Sequence, residues 1–114
     1  MLKGLGGLGD MAKMMKAAQE MQTKMADLQE NLSTMTVVGE SGAGLVRATA
    51  TAKGVLTGLD IDPSIFNPDE KEVVEDLILA AIKDAQAKAQ ERSESEMSRL
   101  TEELGLPKDM NLPF

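Results

Sequence analysis

The sequence predicts an α+β domain ordered as helix, three-stranded antiparallel meander and long C-terminal helix (α-β-β-β-α), and three observations carry that prediction. Apolar residues recur at intervals of three and four from Met11 to Met35. Residues 45–53 alternate with period two. A second helical pattern opens at Asn67-Pro68 and stops at Gly105 and Pro107.

The first helix is read from Met11, Met14, Ala18, Met21, Met25, Leu28, Leu32 and Met35, a heptad seam that calls for a partner helix, in this chain or in a second copy. Asp10 is the expected N-cap, with the glycine-rich residues 1–9 as a flexible N-terminus. A methionine stripe at helical spacing reads first as core, although methionine also suits an adaptable binding surface. Lys13, Lys16 and Lys24 fall on the opposite face. Lys13 and Lys24, eleven residues apart, nearly eclipse, and Glu20 and Asp27 interrupt the stripe.

A first strand is expected near residues 36–40. In the second, Val46, Ala48, Ala50 and Ala52 point one way, and Leu45, Arg47, Thr49, Thr51 and Lys53 the other. The small inner residues let a helix approach closely. Lys53 and Gly54 make a tight turn into a third strand, with Val55, Leu59 and Ile61 on one face, before Asp62 and Pro63 end it. The glycines of "GESGAG" do not form a phosphate loop. Gly44 is followed by Leu45 and Val46 rather than by Lys and Ser or Thr, and a strand follows instead of a helix. Gly39, Gly42 and Gly44 are expected to supply positive φ angles to a hairpin turn with a bulge. Glu40, Asp60 and Asp62 read as solvated or turn-capping carboxylates.

The last helix starts at Asn67 as N-cap, with Pro68 in its first turn and Asp69 and Glu70 at the positive end of the dipole. It buries Val74, Leu77, Ile78, Ala81, Ile82 and Ala85, crosses an exposed "QERSESE", and resumes an apolar stripe at Met97, Leu100 and Leu104. About 36 residues of helix span roughly 54 Å, so it projects beyond the sheet. Its partner in that outer half is left open by the sequence.

Size and composition narrow the function. With 114 residues, 42% hydrophobic and 27% charged, the chain reads as one domain over residues 1–114, with 105–114 as a C-terminal tail. A chain this short buries only roughly two-thirds of its surface, so an oligomer is expected. There is no cysteine or histidine, which excludes disulfides, thiolate or imidazole metal sites and a histidine base. No catalytic residue, metal ligand, cofactor or small-molecule substrate is expected, and no apolar run approaches the roughly 20 residues of a membrane span. The default compartment is the cytoplasm.

The net charge of −7 argues against polyanion binding until it is counted by segment. Residues 1–54 carry six basic against five acidic side chains; residues 55–114 carry six against fourteen. The acidity therefore belongs to the C-terminal half.

The motifs "GGLGDMAKMMKAAQEMQTKM", "GESGAGLV", "DIDPS", "EVVEDLILAA" and the closing "LPF" occur in this order over nearly the whole chain. Together they resemble the YbaB/EbfC family of bacterial nucleoid-associated DNA-binding proteins. The resemblance implies a homodimer formed through the strands, helices projecting as tweezer-like arms, double-stranded DNA as ligand and a place in the nucleoid. Arg47 matches a basic residue that follows "GLV" in the family, and Lys13 and Lys24 match basic positions of the N-terminal motif. The expected DNA-binding set is Lys13, Lys16, Lys24, Arg47 and Lys53, making phosphate contacts with low sequence specificity. With Phe66 and Phe114 the only aromatic residues, base stacking is disfavoured. The competing reading is a coiled-coil scaffold, chaperone-like, that offers methionine surfaces to protein clients.

Overall fold

The computed structural model describes residues 2–105, with side chains from Gly9 onward, and is a rod of 83 × 22 × 17 Å. Two 33-residue helices, α1 (Leu2–Thr34) and α2 (Lys71–Glu103), bracket the strands β1 (Thr36–Ser41), β2 (Val46–Thr51) and β3 (Leu56–Ile61). The strands pair antiparallel in the order β1-β2-β3, so the order of elements is the one expected. The expected C-terminal tail, from residue 106 on, lies outside the described residues.

The alternation in β2 builds the main core. Val46, Ala48 and Ala50 are fully buried beneath Ala81 and Ala85 of α2, with Leu77, Ile78 and Ile82 partly buried around them. Small side chains on both surfaces bring helix and sheet close together. Gly39 marks the closest approach, since a Cβ there would collide with the main chain of Ala81 and Ala85. Its purpose is this contact, not the positive φ expected of it. The left-handed conformation falls instead on Gly42, Ala43 and Gly44, at φ of 58°, 56° and 89°.

α2 also closes the outer edge of β1. The Asp84 carboxylate accepts the Glu40 N–H at 2.9 Å, and Lys88 Nζ donates to the Val38 carbonyl at 3.2 Å. Asp84 and Lys88 pair with each other at 3.0 Å, so two of the edge groups that could recruit a further strand are engaged. Among the described residues β3 has no such cover. An irregularity at Thr49/Ala50 sets Leu56, not Val55, opposite Ala50. The inner face of β3 is therefore Leu56, Leu59 and Ile61, and Val55 turns away from the position expected for it. Leu56 and Leu59 remain 42% and 49% exposed.

The helix ends differ in how well they follow the sequence. Asn67 Oδ1 accepts the Asp69 N–H at 3.1 Å, and one 3-10 turn, Pro68–Glu70, leads into α2. Leu104 and Gly105, the latter at φ 71°, end it. α1, however, starts at Leu2, so Asp10 is internal rather than an N-cap. Each glycine weakens a helix by about 1 kcal/mol relative to alanine without forbidding it, and Leu2, Leu5 and Leu8 keep a three-residue spacing up to Met11.

The partner of the outer half of α2 is α1. Leu28 and Leu32 are buried with Leu100 and Ala52, and Met25, Met35, Met97 and Leu104 pack around them. The helices run antiparallel, with Lys24 beside Glu103. "QERSESE" is not wholly exposed, because its Glu96 is buried with a guanidinium on either side. α2 ends near Lys24 and Met25, so among the described residues the stretch of α1 from Leu2 to Met21, about 28 Å, has no helix alongside.

Candidate nucleic-acid interface

Of the five expected DNA-binding residues, three lie along one side of α1. Lys13 and Lys16 are exposed on the projecting stretch and have no ion pair among the described residues. Lys24 stands where the two helices meet. Its ammonium donates to Glu103 Oε1 at 2.8 Å, and this hydrogen bond with the attendant charge attraction raises its pKa. From Lys13 to Lys24 is about 16 Å of helix, comparable to five phosphates along one strand.

Lys53 is exposed in the β2–β3 turn, at the end of the sheet nearest α1, on the rim of a groove that also holds Gln29, Gln86 and Gln90. Arg47 is far from the other four. It sits at the end of β2 that adjoins the start of α2, where its Nε meets Glu40 Oε1 at 3.2 Å and Asp60 is its partner in register on β3. One cation between two carboxylates presents little net positive potential. The structure thus gathers the three lysines of α1 on one flank, brings Lys53 near the root of the arm, and separates Arg47 from them.

A basic row on α2 was missed from the sequence. Lys88, Arg92 and Arg99 fall on one face of the helix, since offsets of four and seven residues return to nearly the same angle. Arg92 Nε approaches Glu96 Oε1 at 3.3 Å, and Arg99 Nη1 approaches Glu96 Oε2 at 3.6 Å. Two guanidiniums thus share one carboxylate whose side chain is 9% exposed, and one positive charge is left over. Arg99 lines the same groove as Lys24, Asn31 and Asp27, which makes the row continuous with the lysine flank of α1. The heptad separation of Arg92 and Arg99 was the available signal. It was masked by the surrounding acidic residues of α2.

Asp62, after β3, and Asp84, on α2, have structural partners. Asp62 accepts the Ser64 N–H at 2.8 Å, a turn cap that lowers its pKa, as expected for that position. Asp84 is held below the usual carboxylate range by the Glu40 N–H and then by Lys88. No helix among the described residues is long and apolar enough to cross a membrane.

Comparison with known proteins adds the family. The model of the YbaB/EbfC DNA-binding family matches residues 7–104. A nucleoid-associated protein of Rhodospirillum rubrum is 48% identical over 105 residues, which covers 92% of this chain and 98% of the relative. One of Agrobacterium fabrum is 44% identical over the same shares of both chains. The crystal structure of an uncharacterised protein of Helicobacter pylori superposes with a TM-score of 0.68 at 20% identity. That match covers 78% of this chain and 94% of that one, and it speaks for the fold.

Proposed function

The chain belongs to the YbaB/EbfC DNA-binding family, and from that premise we propose that it binds duplex DNA as a homodimer, with little sequence preference, in the nucleoid. The observation that carries this reading is the family match over residues 7–104, on a chain whose projecting arm bears Lys13 and Lys16 without an ion pair among the described residues. Lys13, Lys16 and Lys24 contact phosphates, with Lys53 and the surplus charge of Arg92 and Arg99 beside them. Arg47, balanced by Glu40 and Asp60, contributes least. With Phe66 and Phe114 its only aromatic residues, the chain has little to stack splayed bases on, and it offers cations on one flank of a rod. Affinity then comes from counterion release and not from base contacts.

The homodimer reading is supported by β3. Leu56 and Leu59 extend the apolar inner face shared with Ile61 and remain largely exposed, beyond the cluster that Ile78 and Ile82 of α2 cover. Asp62 N–H donates inward to the Leu45 carbonyl at 2.8 Å, so by alternation the main-chain groups of Ile61 and Leu59 point away from β2. A second copy seated here covers the leucines and brings a second arm, doubling each cation. The test is fluorescence anisotropy with two labelled duplexes, one random in sequence and one genomic. Binding at low ionic strength should agree within a few-fold between them and weaken linearly in log salt. A dimer that leaves both duplexes free at low salt contradicts the proposal.

One observation favours the scaffold reading: Met11, Met14 and Met15 stand 61%, 71% and 64% exposed on the arm. Capture of an unfolded client that is insensitive to salt, without DNA binding, would decide for it.

A further inference from the structure

Lys24 has two claims on its charge. It belongs to the lysine flank of α1, yet its ammonium donates to Glu103 Oε1 at 2.8 Å, the distance at which it would hold a phosphate oxygen. Glu103 is the last residue of α2, and a carboxylate in that place runs against local preference. The closing turn of α2 carries Glu102 and Glu103 and no basic residue, although the carbonyl end of a helix favours cations. The cation that this helix end lacks comes from α1, 79 residues away in sequence.

The groove around the pair shows what Glu103 decides. Two cations, Lys24 and Arg99, line it together with three carboxylates, Asp27, Glu96 and Glu103. With Glu103 in place the groove is negative on balance and does not attract a phosphate. With Glu103 turned out, charges of the two signs are equal and the Lys24 ammonium is open to a new acceptor. Glu96 lacks this freedom, because its side chain is 9% exposed and two guanidiniums hold it. The Glu103 and Lys24 side chains are 55% and 45% exposed, so Glu103 can leave by a change of rotamer. An exposed pair of this kind is weak, and a DNA phosphate, whose capture also releases counterions, is able to displace it.

We propose that Glu103 is an internal competitor for DNA, holding Lys24 in the place of a phosphate until a duplex exchanges it. The inference rests on the DNA-binding reading and adds to it a residue of α2 that sets affinity. The contrary role, in which Glu103 aims Lys24 at the duplex, predicts the opposite sign for the same substitution.

The test is a double-mutant cycle in the full chain, read by fluorescence anisotropy with a random-sequence duplex across a series of salt concentrations. Glu103→Gln should bind several-fold more tightly than the parent at low ionic strength. Its slope of log affinity against log salt should be steeper by up to about 0.9 per chain. In a Lys24→Ala background the same substitution should leave both quantities unchanged. Glu72→Gln, which removes an equal charge from the first turn of α2, at its other end, controls for net charge and should stay close to the parent. Weaker binding by Glu103→Gln overturns the proposal and makes Glu103 a positioning residue. Tightening that persists without Lys24, or that Glu72→Gln reproduces, overturns it too, because the gain is then a general effect of charge. A parent that binds duplex and a Glu103→Gln chain that matches it overturn this inference alone. If every chain leaves the duplex free at low salt, the DNA-binding reading fails and this inference falls with it.

Discussion

Gly39→Ala should be among the most damaging single-methyl changes available in this chain. The added Cβ falls 2.6 Å from Ala85 Cα and closer still to Ala85 N and Ala81 O, all main-chain atoms of α2 that no rotamer change can move. Ordinary contact needs about 3.5–4 Å, so the helix must retreat by about 1 Å, and a gap of that size forfeits a quarter to a half of each dispersion contact it opens. The affected contacts join Val46, Ala48 and Ala50 to Ala81 and Ala85, all of them fully buried. The same retreat strains the Asp84 and Lys88 bonds to the β1 edge. A loss of about 3 kcal/mol follows, at the upper end of overpacking effects. Urea denaturation at one fixed protein concentration measures it, since the stability of the proposed dimer would depend on concentration. Gly58→Ala is the control, because its Cβ would find only Thr49 side-chain atoms, the nearest at 3.8 Å. A Gly39→Ala protein within 0.5 kcal/mol of the parent would refute the account of how α2 packs on the sheet.

Asp84 has a folded pKa below its unfolded value of about 3.8, so its contribution is complete above that value and is lost as pH falls through the lower folded one. Carboxyl NMR should find the Asp84 midpoint below 3.8, and Asp84→Asn should flatten the acid limb of stability; a midpoint at or above 3.8 counts against the edge bond to Glu40. Leu59→Glu places charge on the uncovered face of β3 and should halve the sedimenting mass to that of the 12.2 kDa chain while the helical CD signal persists. An unchanged mass would move the dimer interface elsewhere. Glu96→Gln removes the carboxylate shared by Arg92 and Arg99. It should weaken the arm by about 1–2 kcal/mol yet tighten duplex binding several-fold at low salt. Unchanged or weaker binding would remove these arginines from the interface.

Periodicity alone made much of this architecture legible. The β2 alternation from Val46 to Ala52 and the Asn67-Pro68 start of the last helical segment could be read directly, because each is a local pattern with a local cause. What escaped was set by non-local packing. Gly39 looks like a turn glycine until α2 is laid across it, and the slip that exchanges Val55 for Leu56 comes from the β2–β3 pairing and not from either strand alone. The candidate interface divides in the same way. The lysine spacing on α1 was visible, whereas Lys24 meeting Glu103, 79 residues away, and Arg99 joining its groove required the antiparallel arrangement of the two helices.

The central claim is that the lysine flank of α1 grips the phosphates of duplex DNA. Its most direct test is the salt dependence of binding to a random-sequence duplex, for the parent chain and for Lys13→Ala/Lys16→Ala/Lys24→Ala. In the proposed dimer six cations are removed, so the slope of log affinity against log salt should become shallower by as much as about 5, with Lys24 contributing least because Glu103 already engages it. A triple variant that binds duplex DNA with the parent's slope would contradict the account and place the DNA on another surface.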